Sequence, residues 1–122
     1  MPESTGPTDQ LAAYQRRYRD LAGQLAEVGF IATGTLVQRS TRCGTPGCRC
    51  HADPPQPHGP YWQWTTKVAG KTVTRRLTER QAALYTEWTA NNRQIRQLTR
   101  QMREISDRAT ELILAADARA VD

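Results

Sequence analysis

The chain has no long apolar segment and is poor in apolar residues overall. Hydrophobic residues make up 38% of its 122 residues, and no run approaches the ~18 consecutive apolar residues that cross a membrane. The first ten residues lack the basic and then apolar order of a secretory signal peptide. Such a small apolar fraction gives a weak core. We therefore expect a bound metal or a partner to stabilise the fold. We predict a cytoplasmic protein with no membrane segment, whose residues 1–8 form a disordered leader.

Cysteine is also scarce. The three cysteines are an odd number and lie within eight positions, at Cys43, Cys48 and Cys50. A secreted disulfide framework more often has an even number of scattered cysteines. The clustering therefore favours metal ligation in a reducing compartment, with a redox site or ordinary small core residues as the alternatives.

Two histidines follow the cysteines, His51 and His58. Three thiolates and one imidazole are ligands typical of a closed tetrahedral zinc site. We favour His58 over His51 as the fourth ligand, because the side chain of His51 diverges from that of its neighbour Cys50. The proline-rich segment before His58 can instead return it to the thiolates. The sequence thus predicts one structural Zn²⁺ bound by Cys43, Cys48, Cys50 and His58.

A catalytic metal is not expected. Catalytic zinc sites keep a position for water and place a carboxylate nearby as a base. The only acid in the cysteine and proline segment is Asp53. We therefore expect no enzymatic activity.

The pattern of the chain predicts an α+β fold in one domain. Apolar residues at helical spacing predict a helix over residues 9–29, with Thr8 or Asp9 as its N-cap. Residues 30–78 form the predicted β and zinc module, and a long helix follows over residues 79–118.

Within this module we predict a small three-stranded antiparallel β-meander. A first strand is expected from Phe30 to Arg39, followed by the cysteine segment and a loop over Ala52–Pro60, whose prolines disfavour regular structure. A hairpin turn is expected at residues 68–71. Thr78 is expected to cap the long helix, with Gln81 in its first turn.

The long helix carries an apolar seam at heptad spacing. Its positions are Leu84, Trp88, Asn91, Ile95, Leu98, Met102, Ile105, Ala109, Leu112 and Ala116. The first helix is about half as long, at 1.5 Å per residue, and leaves part of this seam uncovered. We therefore predict a coiled-coil-like homodimer through the long helix, in which Asn91 sets the register.

Positive charge is concentrated in the middle of the chain. Residues 30–80 contain eight Lys or Arg residues and two acids, a formal net charge of +6. Basic and aromatic side chains together suit the phosphates and bases of nucleic acid. The predicted nucleic-acid-binding residues are Arg39, Arg42, Arg49, Lys67, Lys71, Arg75, Arg76, Trp62 and Trp64. A second basic stripe is formed by Arg93, Arg96, Arg100 and Arg103 of the long helix.

Several short motifs carry a family resemblance over about residues 30–78. Gly34-Thr35-Leu36-Val37, Arg42-Cys43-Gly44, Pro46, Cys48-Arg49-Cys50 and His58-Gly59-Pro60-Tyr61 resemble the core of an uncharacterised bacterial family of small proteins, a domain of unknown function with members associated with mobile genetic elements. The resemblance implies that His58 is the fourth ligand and that a strand, a zinc loop and a hairpin precede a long helix. The resemblance does not indicate which activity the family has.

Two functions follow as hypotheses. The first is a zinc-stabilised accessory protein that binds DNA or RNA, in gene regulation or in a mobile element. The second is an adaptor that binds another protein through its long helix, with the basic residues serving solubility or an acidic partner.

Overall fold

The computed structural model describes residues 6–121. The elements, in order, are α1 (Pro7–Ala26), β1 (Thr35–Thr41), a short 3-10 turn (Arg49–His51), β2 (His58–Val68), β3 (Lys71–Leu77) and α2 (Glu79–Val121). The three strands form one antiparallel sheet in the order β1-β2-β3. This confirms the predicted α+β fold of a helix, a three-stranded antiparallel sheet and a long helix. Residues 1–5 of the predicted leader lie outside the described residues.

The first helix begins earlier than predicted. Gly6 is its N-cap and Pro7 its first residue, so neither Thr8 nor Asp9 caps it. Proline suits the first helical position, since its fixed φ is helical and its missing N–H would have no partner there. Asp9 lies in the first turn, where a negative charge is favourable.

The first strand was predicted to begin at Phe30, but it begins at Thr35, and Phe30 and Ala32 pair with α2 instead. The backbone N–H of Ala32 donates to the Trp88 carbonyl at 3.1 Å. Asn91, predicted to set a coiled-coil register, donates its side-chain amide to the Phe30 carbonyl at 2.8 Å. The Phe30 ring also meets the Trp88 ring edge-on, with centroids 5.9 Å apart.

The hairpin turn lies where the sequence predicted it. Ala69 and Gly70 connect β2 to β3, with φ values of 52° and 79°. Two consecutive residues with positive φ form the type I′ turn that matches the twist of a hairpin.

The predicted proline loop ends earlier than expected, because β2 already begins at His58. His58 pairs with Thr41 of β1, pairing with β1 resumes at Tyr61, and pairing with β3 starts at Trp62. Pro60 lies at the register irregularity between Arg39 and Thr41. A proline is tolerated at such an irregularity, since no ladder bond needs its missing N–H.

A reciprocal cap begins α2, as predicted. The backbone N–H of Gln81 donates to the Thr78 hydroxyl at 3.1 Å, and the backbone N–H of Thr78 donates to the Gln81 side chain at 2.9 Å. This capping box satisfies two backbone donors at the sharp change from strand to helix.

The described residues form two compact units. One contains residues 30–92, and the other contains α1 and α2 from Arg93 onward. In the helical unit, Tyr14 and Tyr18 of α1 and Ile105 and Ala109 of α2 line one groove. No helix within residues 6–121 is long and apolar enough to cross a membrane.

The predicted seam is the less exposed face of α2. All ten seam residues are buried or half-buried. In the β unit Trp88 packs on Phe30, and in the helical unit Ile105 lines the groove shared with α1. Trp88, Asn91, Ile105 and Ala109 of the seam thus have partners within the chain, and the homodimer stays a prediction.

Candidate metal centre and open sheet face

Strand pairing places the histidine of the candidate metal centre. β2 begins with His58, which pairs with Thr41 at the end of β1. Cys43 follows Thr41 by two residues, so the sheet holds the start of one strand beside the first cysteine. His58 therefore approaches the cysteines from the paired strand, across the loop.

Backbone hydrogen bonds between residues close in sequence fold the cysteine segment onto itself. The N–H of Cys48 donates to the Thr45 carbonyl at 3.1 Å, and the N–H of His51 donates to the Cys48 carbonyl at 3.0 Å. The N–H of Gln56 donates to the Arg49 carbonyl at 3.0 Å, which ties the proline loop back to the 3-10 turn. These bonds bring all three sulfurs to one side of the loop.

The four predicted ligands lie together. One ligand atom from each of Cys43, Cys48, Cys50 and His58 lies within 4.8 Å of all the others. The Sγ atoms of Cys43 and Cys50 are 3.6 Å apart, and Cys48 Sγ lies 3.2 Å from His58 Nε2. Zn–S bonds of about 2.3 Å and Zn–N bonds of about 2.0 Å in a tetrahedron require ligand separations of about 3.6–3.8 Å. The cluster could therefore hold one metal ion with small adjustments.

His51 lies outside this cluster. Its Nε2–H donates to the carbonyl oxygen of Cys43, because a carbonyl can only accept. The same nitrogen is then unable to bind a metal. Of the two histidines left open by the sequence, His58 is the one that the structure groups with the thiols.

The protonation of the cysteines differs across the cluster. The backbone of Thr45 and the side chains of His58 and Cys48 hydrogen-bond to the Cys43 sulfur and lower the pKa of Cys43 to about 6. Burial raises the pKa of the Cys50 thiol, whose residue has no solvent exposure. Cys43 is thus mostly thiolate at neutral pH, while Cys50 keeps its proton until a cation replaces it.

One residue required by this geometry was quoted in the family motif but was given no structural role from the sequence. Gly59, next to His58, has φ +104°, and a Cβ there would lie 2.8 Å from the Arg39 carbonyl oxygen. Glycine therefore fits where β2 leaves the loop and pairs with β1. Gly44 and Gly47, which lie between the cysteines, have open space around them instead.

The register divides the sheet residues between two faces. Directly paired residues share a face, and successive residues alternate. We call the outward one the open face. It consists of Thr35, Val37, Arg39, Tyr61, Gln63, Thr65, Lys67, Thr72, Thr74 and Arg76. All ten are exposed or half-buried, and none is acidic.

Arg76 and Tyr61 form the most organised contact on the open face. The Arg76 guanidinium lies 3.9 Å from the centre of the Tyr61 ring, a cation–π contact. The Tyr61 hydroxyl donates to the Thr41 hydroxyl at 2.9 Å. A planar, positively charged group is thus held over the only aromatic ring of the open face.

The opposite face carries the two predicted tryptophans, both half-buried. Trp64 donates its indole N–H to the Thr33 carbonyl at 2.8 Å and packs on Tyr85 with centroids 4.9 Å apart. Trp62 donates to Glu79 of α2 at 3.1 Å. Their surfaces are used inside the fold, so Tyr61 is the aromatic residue of the open face.

The predicted basic residues are likewise not on one surface. Arg39, Lys67 and Arg76 belong to the open face, whereas Lys71 and Arg75 belong to the opposite face. Arg42 and Arg49 are exposed beside the metal cluster, outside the sheet.

Comparison with known proteins identifies the family without an activity. Neither the curated proteins nor the solved structures yield a match to this chain. A family model described as "Domain of unknown function (DUF6788)" matches residues 11–87, from α1 through the first turns of α2. This match covers more than half of the chain, so the protein belongs to the DUF6788 family of domains of unknown function.

Proposed function

We propose that this protein binds DNA or RNA through the open face of its sheet and that Zn²⁺ bound by the cysteine cluster holds the adjoining loop in place. The observation that carries this proposal is the composition of the open face, where three basic side chains and one aromatic accompany hydroxyl groups without any acid. Phosphates are bound by such mixtures of Arg, Lys and Thr, and the salt dependence of their binding follows from the charges.

The contact between Arg76 and Tyr61 suits a stacked base. The guanidinium plane already covers the tyrosine ring, so its outer surface offers a flat cation on which an unpaired base can lie. The threonine hydroxyls around it can bond to phosphate or sugar oxygens. The open face is therefore better matched to single strands, whose bases are accessible, than to a duplex.

The choice of zinc rests on the donor set. Three thiolates and one imidazole with tetrahedral separations are typical of structural zinc. The metal would join the end of β1 to the start of β2, and it would fix Arg42 and Arg49 beside the sheet. Three thiolates with a divalent cation add a net −1 to residues 30–80, which then keep a formal charge of +5.

A pair of charge reversals on the open face tests the proposal directly. Arg39→Glu with Arg76→Glu changes the open face, while Lys71→Glu with Arg75→Glu makes the same change in charge on the opposite face. Fluorescence anisotropy with labelled single-stranded DNA and RNA at rising salt would measure the affinity. We expect the first variant to bind at least about tenfold more weakly and with a shallower salt slope, and the control to lose much less.

Equal losses in the two variants would contradict a defined face and indicate general charge attraction. An absence of binding by the zinc-loaded wild type even at low salt would refute the proposal. It would leave the adaptor hypothesis as the alternative.

A further inference from the structure

The outward side of α2 carries a charged row that the proposed function does not use. Four arginines, at Arg93, Arg96, Arg100 and Arg103, are followed by three acids, at Glu104, Asp107 and Glu111. All seven side chains are exposed, and all belong to the helical unit. At 100° per residue they follow one side of the helix, about 175° around from the centre of the seam. We call these seven residues the charged row.

These charges have no partner within the described chain. The ion pair found among the described residues joins Arg17 to Asp20 in α1. The order of the row is also the weaker one within a single helix, because the acids lie nearer the C-terminus and a basic residue that precedes an acid by four positions contributes less than the reverse.

The row is complementary to itself when reversed. A midpoint between Arg103 and Glu104 leaves Arg100 and Asp107 equally distant from it, and likewise Arg96 and Glu111. An antiparallel copy related by a two-fold axis at this point would place Arg100 and Arg96 opposite the partner's Asp107 and Glu111, with Arg103 and Glu104 beside the axis and Arg93 opposite Leu114. A parallel copy would place arginine against arginine.

We propose that the charged row is an interface with a second copy of this chain, which packs antiparallel along α2 and forms a dimer. The symmetry provides four opposite-charge pairs and a closed two-fold assembly, the commonest form of homodimer. Each exposed pair contributes little and is screened by salt, so the dimer is weak and dissociates as ionic strength rises.

Nucleic acid fits the whole row less well than a second copy does. The arginines alone would attract phosphates, but Glu104, Asp107 and Glu111 continue the same side of the helix and would repel a backbone that follows it. A partner with both signs of charge in reversed order matches both the basic and the acidic part of the row. This inference does not depend on nucleic-acid binding by the sheet.

Complementary charge reversals test the proposal. One variant carries Arg96→Glu with Arg100→Glu, which makes the row acidic, and the other carries Asp107→Arg with Glu111→Arg, which makes it basic. Sedimentation equilibrium of the zinc-loaded full chain at low salt, without nucleic acid, gives the dimer dissociation constant. We expect each variant alone to dimerise at least about tenfold more weakly and an equal mixture of the two to recover association as a heterodimer. A control with Arg16→Glu and Arg80→Glu reverses two charges outside the row and should dimerise like the wild type.

Recovery in the mixture also shows that both variants fold. A wild type that stays monomeric at low salt, or a mixture that fails to associate, would overturn the proposal. If the wild type is monomeric and Arg96→Glu with Arg100→Glu weakens nucleic-acid binding, the arginines serve nucleic acid instead.

Discussion

Replacement of Gly59 by alanine adds only one methyl group, but it should disturb the start of β2 beside the cysteine cluster more than so small a change suggests. The native φ of +104° lies in a region that alanine rarely adopts, at a cost of about 1–3 kcal/mol. The new Cβ would also lie 2.8 Å from the Arg39 carbonyl oxygen and 3.1 Å from the Tyr61 ring. Displacing that part of the β1–β2 ladder would cost about 1 kcal/mol more. We expect Gly59→Ala to lower the free energy of unfolding by about 2–4 kcal/mol, a large part of a typical domain's stability.

Gly47→Ala in the same loop is the matched control. No atom lies within 4 Å of its built Cβ, and its φ is not among the positive values. Alanine there should leave stability within about 0.5 kcal/mol or raise it slightly, since it restricts the unfolded chain. Urea denaturation followed by tryptophan fluorescence, with zinc present, would measure both variants. If the two variants lose the same stability, the geometry assigned to Gly59 is wrong.

Three further predictions concern the metal centre and the helix cap. Metal analysis of the purified protein should find about one zinc per chain. The variant Cys50→Ser should bind zinc much more weakly, because one ligand is lost. Full zinc binding by this variant would contradict the proposed ligand set. Zinc affinity should fall as pH is lowered, since Cys50 has to release its proton, and it should fall more steeply below about pH 6, where Cys43 is protonated as well. Competition with a chelator across this pH range would measure the slope. An affinity that does not change with pH would exclude thiolate ligation. Thr78→Ala should remove the reciprocal cap with Gln81 and destabilise the protein by about 1 kcal/mol, which urea denaturation would detect; a variant as stable as the wild type would show that the cap contributes nothing.

Features set by local chemistry were predictable from the sequence. The heptad spacing of α2 identified its less exposed face, since a 3.6-residue period fixes which side chains share a side. The strand formers on both sides of Ala69 and Gly70 predicted the hairpin. The cysteine and histidine pattern identified a cluster that the structure assembles.

Features set by distant contacts were not predictable from the sequence. The β-forming residues Phe30 and Ala32 pair with α2 about sixty positions later, and strand propensity contains no information about such a partner. The two faces of the sheet were predictable in principle, because neighbouring strand residues such as Arg75 and Arg76 must lie on opposite faces. The basic residues were grouped by their charge alone, without use of this alternation. Gly59 could be recognised only once the strand register was known.

The small core affects how this protein responds to heat. Among the described residues, only Leu21, Cys50, Leu77, Ala82 and Leu98 are buried apolar side chains. Unfolding such a chain hydrates little apolar surface, so its heat-capacity increment should lie below the roughly 12–15 cal/mol/K per residue of ordinary domains. Its stability curve is then flat, and calorimetry would record a broad transition; if the cysteine cluster binds zinc as proposed, the midpoint should rise with the concentration of free zinc.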